Sequence, residues 1–243
     1  MKVLRVLVAL NLVVFLIVFQ SGEAIAFDTE LFGCPTAKTL KRGEWNAGIG
    51  LWYGILPLTG YIKLGMTSNV EALAFIEPFN CYYGLKVNCL KEKEPLPAVA
   101  VAFCQGFAAE AIAKPDGGLH NINCLYLILS KDVGNLKLNT GIGNGKNPSL
   151  FTMSGGGLYN ETGYFIYGSI EKEFEKASIF LETNMFKEGS TWVIGSSYRV
   201  KKFLFKLTGG FWSGKFYEFP ENIDYYLMPV LTIEYNKRKG DKK

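Results

Sequence analysis

Alternation is the dominant signal along this chain. In GEWNAGIGLWYG, residues 43–54, Trp45, Ala47, Ile49, Leu51 and Tyr53 share one parity. Glu44, Asn46, Gly48 and Gly50 share the other, with Trp52 as the exception. Strand side chains alternate between faces, so the segment predicts a strand with one apolar face and one small or polar face. The division recurs downstream. Ile62, Leu64 and Met66 oppose Tyr61, Lys63 and Gly65; Leu136, Leu138, Thr140 and Ile142 oppose Lys137, Asn139, Gly141 and Gly143. Ala177, Ile179, Leu181 and Thr183 oppose Ser178, Phe180, Glu182 and Asn184; Trp192, Ile194, Ser196 and Tyr198 oppose Thr191, Gly195 and Arg199. Twelve strand-like runs are expected near 45–53, 59–67, 70–77, 82–90, 97–104, 121–131, 134–143, 162–172, 175–184, 190–200, 202–212 and 225–235. Most approach the about 9–11 residues that cross a bilayer at a tilt. The one helix-period candidate after residue 26 is FAAEAIA, residues 107–113, expected as a short helical turn in a loop.

Which face looks inward decides the fold. Lys, Arg, Glu or Asn recurs at mid-strand on the polar face. A sandwich exposes such a face to water, whereas a closed barrel can turn it around a lumen. Aromatic residues bracket several apolar faces: Trp45 and Tyr53, Phe203 and Phe211, Tyr225 and Tyr235. Eight residues at about 3.3 Å span roughly 26 Å, or ~19 Å after a 45° tilt, close to the ~25 Å apolar band between two aromatic girdles. The connections also sort by length. One side takes TSN (67–69), KEKEPLP (91–97), KDVG (131–134), EFEK (173–176) and VKK (200–202). The other takes 105–120, 144–161, 185–189 and 213–224, with two short links near 54–58 and 78–81. Short turns on one rim and long loops on the other are the habit of membrane barrels. The expected fold is therefore all-β: a closed antiparallel up-and-down transmembrane β-barrel of about 12 strands. Three features fit it badly. NCLYLIL (123–129) lacks clean alternation, Pro229 has no amide hydrogen for a ladder, and eight residues follow Tyr235.

The first 26 residues read differently. Lys2 and Arg5 precede an apolar run from Val6 to Phe19, and Ala24-Ile25-Ala26 offers a small-residue cleavage site. This is the anatomy of a secretory signal peptide. The run is shorter than the ~20 residues a spanning helix needs, which leaves an uncleaved anchor as the alternative. LFGC (31–34) resembles a lipid-attachment site at Cys34 but lies beyond the run, behind Glu23, Asp28 and Glu30. The expected organisation is a leader over 1–26 and one barrel domain over 27–243. Within the latter, 27–43 is a periplasmic or plug segment and 236–243 a basic tail.

Losing Lys2, Arg5 and Glu23 lowers the formal charge from +4 to +3. The tail NKRKGDKK holds five basic residues and one acidic residue, so the rest is near neutral and gives no case for nucleic acid. Five cysteines leave at least one unpaired in a monomer. Cys81 and Cys89 are too far apart to bridge within one extended strand. No CxxC or Cys/His spacing suggests zinc, and a single histidine weakens any imidazole-based metal site.

The chain resembles bacterial outer-membrane β-barrel proteins of the small, porin-like sort. The resemblance rests on the leader, on CPTAKTLKRGEWNAGIGLWYG entering the first strand, on LPLTGYIKLGMTSNVEALA as a hairpin, and on alternation as far as Tyr235. It implies location in a bacterial outer membrane, in contact with its lipid and lipopolysaccharide. It transfers no active residue.

Candidate chemistry is sparse. GIGNGKNPS (141–149) departs from the phosphate-loop pattern, because Asn147 follows Lys146 and no helix follows. The sequon Asn160-Glu161-Thr162 has no meaning in a bacterial barrel. Barrel lipid hydrolases pair a serine with a histidine, because the hydroxyl needs a base; His120 is the sole candidate base, with Ser130 and Ser154 as conceivable partners. The ordinary reading of His120 is an exposed loop residue. The lumen is the more plausible working surface. Its expected lining is Lys63, Glu71, Lys86, Lys137, Asn139, Glu171, Glu182, Arg199 and Lys206. The expected lipid-facing set is Trp45, Ile49, Leu51, Tyr53, Leu136, Leu138, Ile179, Leu181, Phe203, Phe205, Tyr225 and Tyr235. These expectations describe a monomeric passive pore or transporter for small solutes, or a structural outer-membrane protein, with no cofactor or metal. A lipid hydrolase using His120 and a soluble exported lipid-binding barrel with apolar residues inward are the alternatives.

Overall fold

The computed structural model describes residues 35–52, 56–76, 80–109, 119–146, 162–186, 189–214 and 228–237. Every regular element within them is a strand: β1 (Trp45–Trp52), β2 (Leu56–Gly65), β3 (Val70–Ile76), β4 (Asn80–Leu90), β5 (Ala98–Ala109), β6 (Leu119–Val133), β7 (Leu136–Lys146), β8 (Thr162–Glu173), β9 (Ala177–Phe186), β10 (Gly189–Val200), β11 (Phe203–Gly214) and β12 (Met228–Lys237). Each strand pairs antiparallel with its sequence neighbours, and β12 returns to β1 to close a barrel. Closure runs from Trp45↔Lys237 to Trp52↔Val230. The leader, Cys34, Tyr53, Ser154, Tyr225 and the tail beyond Lys237 lie outside the described residues.

All twelve expected strands are present, and their limits differ in an instructive way. β5 and β6 extend further than the alternation suggested, and Phe107–Ala109 of the expected helical turn belong to β5, registered from Phe107↔Asn121 to Ala109↔Leu119. Pairing with β6 overrides the local helical preference of the alanines. β6 continues to Val133, and Gly134 makes the tight return to β7 at φ +61°, a left-handed conformation that glycine adopts without steric cost. Asn236 and Lys237 are part of β12, not of a tail. Pro229 sits near the start of β12 opposite Gly209, where the loss of one ladder donor is least disruptive.

Burial inverts the order of a water-soluble core. Leu125 is 55% exposed and Ile194 56%, with Ile49, Ile62, Leu64, Leu127, Leu138, Ile170 and Leu181 likewise exposed on one parity. On the other parity Glu182 is 0% exposed and Glu234 1%, and Asn46, Lys63, Lys86 and Lys206 are also buried. Apolar side chains therefore coat the outside, and polar ones turn inward. This removes the soluble lipid-carrier alternative, whose apolar residues would have to point the other way. On the outer face at the turn-bearing rim, Tyr235 packs between Trp45 and Phe203, at centroid distances of 5.3 Å and 5.4 Å. Tyr83 and Tyr164 are exposed towards the loop-bearing rim.

Glycines on the inner parity accommodate neighbouring rings. A methyl group at Gly48 would collide with the Tyr61 ring, at Gly141 with Tyr167, at Gly143 with Phe165, and at Gly195 with Phe180. In each case the ring and glycine are directly registered partners on adjacent strands. The rings thus lie flat along the wall.

Three substitutions test this architecture. Leu127→Arg, near the middle of β6, should cost about 2–4 kcal/mol in denaturant unfolding from lipid vesicles, and Phe203→Arg at the rim no more than about 1 kcal/mol. Equal effects at the two positions would contradict an outer face in hydrocarbon. Gly143→Ala should cost about 1–3 kcal/mol by overpacking, most of it recovered in a Phe165→Leu background.

Candidate functional site in the barrel interior

The interior has two unlike sectors and, near one rim, a segment of chain packed against the wall. β5 presents Ala98, Ala100, Ala102 and Cys104; β6 presents Cys124, Tyr126 and Ile128; β8 presents Phe165 and Tyr167. All are buried together with Ala37 in one apolar cluster. Tyr126 meets Phe165 edge-on at 5.3 Å and Tyr167 at 6.4 Å. This explains the missing alternation of residues 123–129: Leu125, Leu127 and Leu129 take the outer parity, while Cys124, Tyr126 and Ile128 fill the inner one. Here both faces are apolar because one meets lipid and the other a dry internal cluster.

The opposite sector, from β9 through β12 to β2, is mostly polar, although Phe180, Val193 and Leu204 are also buried there. Glu234 of β12 accepts hydrogen bonds from the Asn46 amide at 3.1 Å and from the Tyr61 hydroxyl, and lies 3.6 Å from the Lys206 ammonium. Lys63 also acts on Glu234 electrostatically, and its ammonium stands 5.0 Å above the Tyr61 ring. Ser178 and Ser197 hydrogen-bond across β9 and β10 at 2.8 Å. In a low-dielectric interior such charges are tolerable when paired and hydrogen-bonded.

Near the turn-bearing rim the chain before β1 packs against the inner wall. Thr36, Ala37 and Leu40 are buried. The Ala37 amide donates to Ser130 Oγ at 2.7 Å, and its carbonyl accepts from the Asn88 amide at 2.7 Å. The Leu40 amide donates to Glu71 at 2.9 Å, and Glu71 is paired with Lys86 at 3.1 Å. Lys38 pairs with Asp132 at 2.6 Å. Ser130 continues to Asn139 and Asn139 to Ser169, so a polar chain crosses from the segment to β8. Alongside it, Lys137 reaches Glu173 at 2.5 Å and Glu171 at 3.8 Å.

The proposed lining residues are placed as follows. Lys63, Glu71, Lys86, Lys137, Asn139, Glu171, Glu182 and Lys206 are buried on the inner parity, and Arg199 is half-buried at the turn end of β10. The structure brings Glu71 to Lys86 and Lys137 to Glu171, while Lys63 and Lys206 converge on Glu234. Of the outer set, Ile49, Leu138, Ile179, Leu181 and Phe203 are exposed. Trp45, Leu51, Leu136, Phe205 and Tyr235 are partly covered by neighbours. His120 falls within β6, opposite Ala108 in register, not in a loop; its side-chain surroundings lie outside the described residues. Ser130 is ten residues further along the same strand, roughly 33 Å away, so the two cannot form a hydrogen-bonded pair. Glu234 was missed by the sequence reading, although its parity opposite Tyr235 already placed it inward.

No protein-family model matches the chain, and no curated protein matches it in sequence. Among solved structures it is similar to the KdgM porin, at 10% identity and a TM-score of 0.52, covering 80% of this chain and 99% of that one. It is also similar to the outer membrane phospholipase A from Escherichia coli, at 12% identity and a TM-score of 0.41, covering 84% of this chain and 98% of that one. The first likeness is one of fold, and the second carries nothing further. The architecture is that of the closed, antiparallel outer-membrane-type β-barrel.

Glu234 offers a direct test of the polar sector. Glu234→Leu leaves Lys206 and Lys63 buried without their shared carboxylate and should cost about 3–5 kcal/mol of unfolding free energy. Adding Lys206→Met should restore much of that loss. Additive losses in the double variant would mean the two side chains are not coupled.

Proposed function

We propose that this chain is a bacterial outer-membrane protein, exported behind a cleaved leader, whose barrel admits small solutes when its charged lining rearranges. The carrying observation is the buried, charged inner wall. A buried ion pair gains little over well-packed apolar residues of similar volume, so stability alone gives weak reason to keep several of them. Ionisable groups at membrane depth mark pathways for ions and polar solutes. Among the described residues, Asn46 Oδ1, Asn184 Nδ2 and Thr232 Oγ1 have no protein hydrogen-bond partner. Polar buried atoms of this kind hold water readily, which favours an interior that can wet. The fold likeness to a porin agrees with this reading. Lipid and lipopolysaccharide would meet the Leu125–Leu127 face, and one closed barrel needs no second copy to satisfy its edges.

A second reading, a barrel that conducts nothing and serves a structural role, is favoured by one observation: the lining side chains are nearly inaccessible in this conformation. The lipid-hydrolase reading has lost Ser130 as a nucleophile and has no other described support.

Planar-bilayer recording separates the first two. The transport reading expects long closed periods broken by discrete openings, several-fold more frequent in Glu71→Gln, which weakens the hold on Leu40 and Lys86. Folded, inserted protein that stays silent at every voltage in both forms leaves the structural role.

A further inference from the structure

Two of the inner-wall cysteines are built as a pair. Cys104 of β5 and Cys124 of β6 are directly registered across the strands. Both are buried, their side chains are in hydrogen-bond contact, and both are thiols in this structure. Directly opposed residues of an antiparallel pair have Cα atoms about 4.5–5.5 Å apart, inside the ~4.4–6.8 Å that a disulfide spans. The next positions on either side are small. Gly84 is registered with Cys104, and a Cβ there would lie 3.2 Å from Cys104 Cβ. Gly145 is registered with Cys124, and a Cβ there would lie 2.8 Å from Cys124 Sγ. Larger residues would crowd the sulfurs; glycine lets both side chains turn toward each other. The other described cysteines have no such arrangement. Cys81 stands opposite Ile76 and Phe107, and Cys89 lies in the irregularity between Asn88 and Leu90; both are exposed on the outer face.

We propose that Cys104 and Cys124 are a modification site: a cross-strand disulfide that staples β5 to β6 in the exported protein. The oxidant is a disulfide-bearing compound or oxidoreductase of an oxidising compartment, acting before the barrel closes over the pair. One Cys thiolate attacks a sulfur of that disulfide and expels the other sulfur as a thiolate. The second Cys thiolate then attacks the bound cysteine sulfur of the mixed disulfide and expels the oxidant's remaining sulfur. The barrel gains one S–S bond, the oxidant is reduced by two electrons to two thiols, and the two cysteine protons pass to the expelled thiolates. The staple rests on export through such a compartment and does not depend on whether the barrel conducts. It would tie the two longest-paired strands of the apolar sector beside Tyr126.

The test uses the full-length chain extracted in detergent and, separately, the same chain refolded in a redox buffer rich in oxidised glutathione. Both are quenched with acid, alkylated and mapped by mass spectrometry. The expected result is one reducible cross-link between the peptides carrying Cys104 and Cys124, with Cys81 and Cys89 alkylated. Reductant should lower the melting temperature of the wild-type barrel by several degrees and leave Cys104→Ser and Cys124→Ser unmoved; altered gel migration on heating verifies that each variant is folded. Alkylated thiols at both positions in the refolded protein, at every buffer potential, overturn the proposal. So does a cross-link of Cys124 to Cys81 or Cys89, or protection from alkylation without a cross-link that a metal chelator reverses. If the refolded protein cross-links but cell-derived protein carries free thiols, a processed leader overturns the staple, whereas a retained leader overturns the export reading.

Discussion

Ring closure is the constraint from which the rest of this structure follows. Backbone N–H and C=O groups in hydrocarbon have no water to bond, so a sheet that crosses a membrane must leave no edge. The β1–β12 ladder, from Trp45↔Lys237 to Trp52↔Val230, removes the last one. Once the sheet is closed, the hydrophobic effect loses its usual direction. Leu125 or Ile194 gains nothing by turning inward when the outside is already apolar. The outer parity is therefore free to be aliphatic, and cohesion has to come from the ladder and from the contents of the cylinder.

Those contents are assembled in two ways. Across β5, β6 and β8 the wall is lined by alanines, cysteines and rings, and the rings fit because the facing positions are glycine. Across β9 to β2 the same space is held by carboxylates and ammonium groups whose desolvation is offset by one another. The segment from Thr36 to Leu40 joins the apolar cluster to polar groups on β3, β4 and β6. Ala37 joins the apolar cluster while its amide and carbonyl bond Ser130 and Asn88, and Leu40 caps the Glu71–Lys86 pair. A segment that satisfies polar groups on several strands at once fixes how those strands sit against each other, a role that a surface ion pair could not fill.

Much of the fold was legible because a strand's period of two is short and rigid. Once Leu136 and Leu138 are assigned outward, Lys137 and Asn139 can only be inward, and the sorting of loop lengths supplies the topology. The interior contacts were not legible. Which lysine meets which carboxylate depends on shear and register, and neither leaves a mark in a single strand; nothing in the run TIEY says that Glu234 receives Asn46, Tyr61 and Lys206. Residues 107–109 misled for a different reason. Alanine-rich segments favour helix locally, and the ladder partner that overrides them, Leu119–Asn121 across the connection, lies outside a local window. The irregular run 123–129 was informative in a way its composition concealed, since apolarity on both parities reports an internal cluster.

Strand number finally bears on whether such an interior can stand open. Eight strands enclose a space that side chains fill, and sixteen leave an aqueous channel; twelve lies between. The inner side chains are nearly inaccessible, and the rings facing Gly48, Gly141, Gly143 and Gly195 lie close against the wall. The apolar sector has no reason to wet, so water or solute would have to follow the polar sector, past Glu182, Lys206 and Glu234. Lys206 and Glu234 are held by each other and by Asn46 and Tyr61, and polar contacts can be exchanged for water at small net free energy where packed rings cannot. On the proposed reading, passage through this barrel is then a matter of hydrating one side of the interior while the other stays dry and keeps the cylinder in shape.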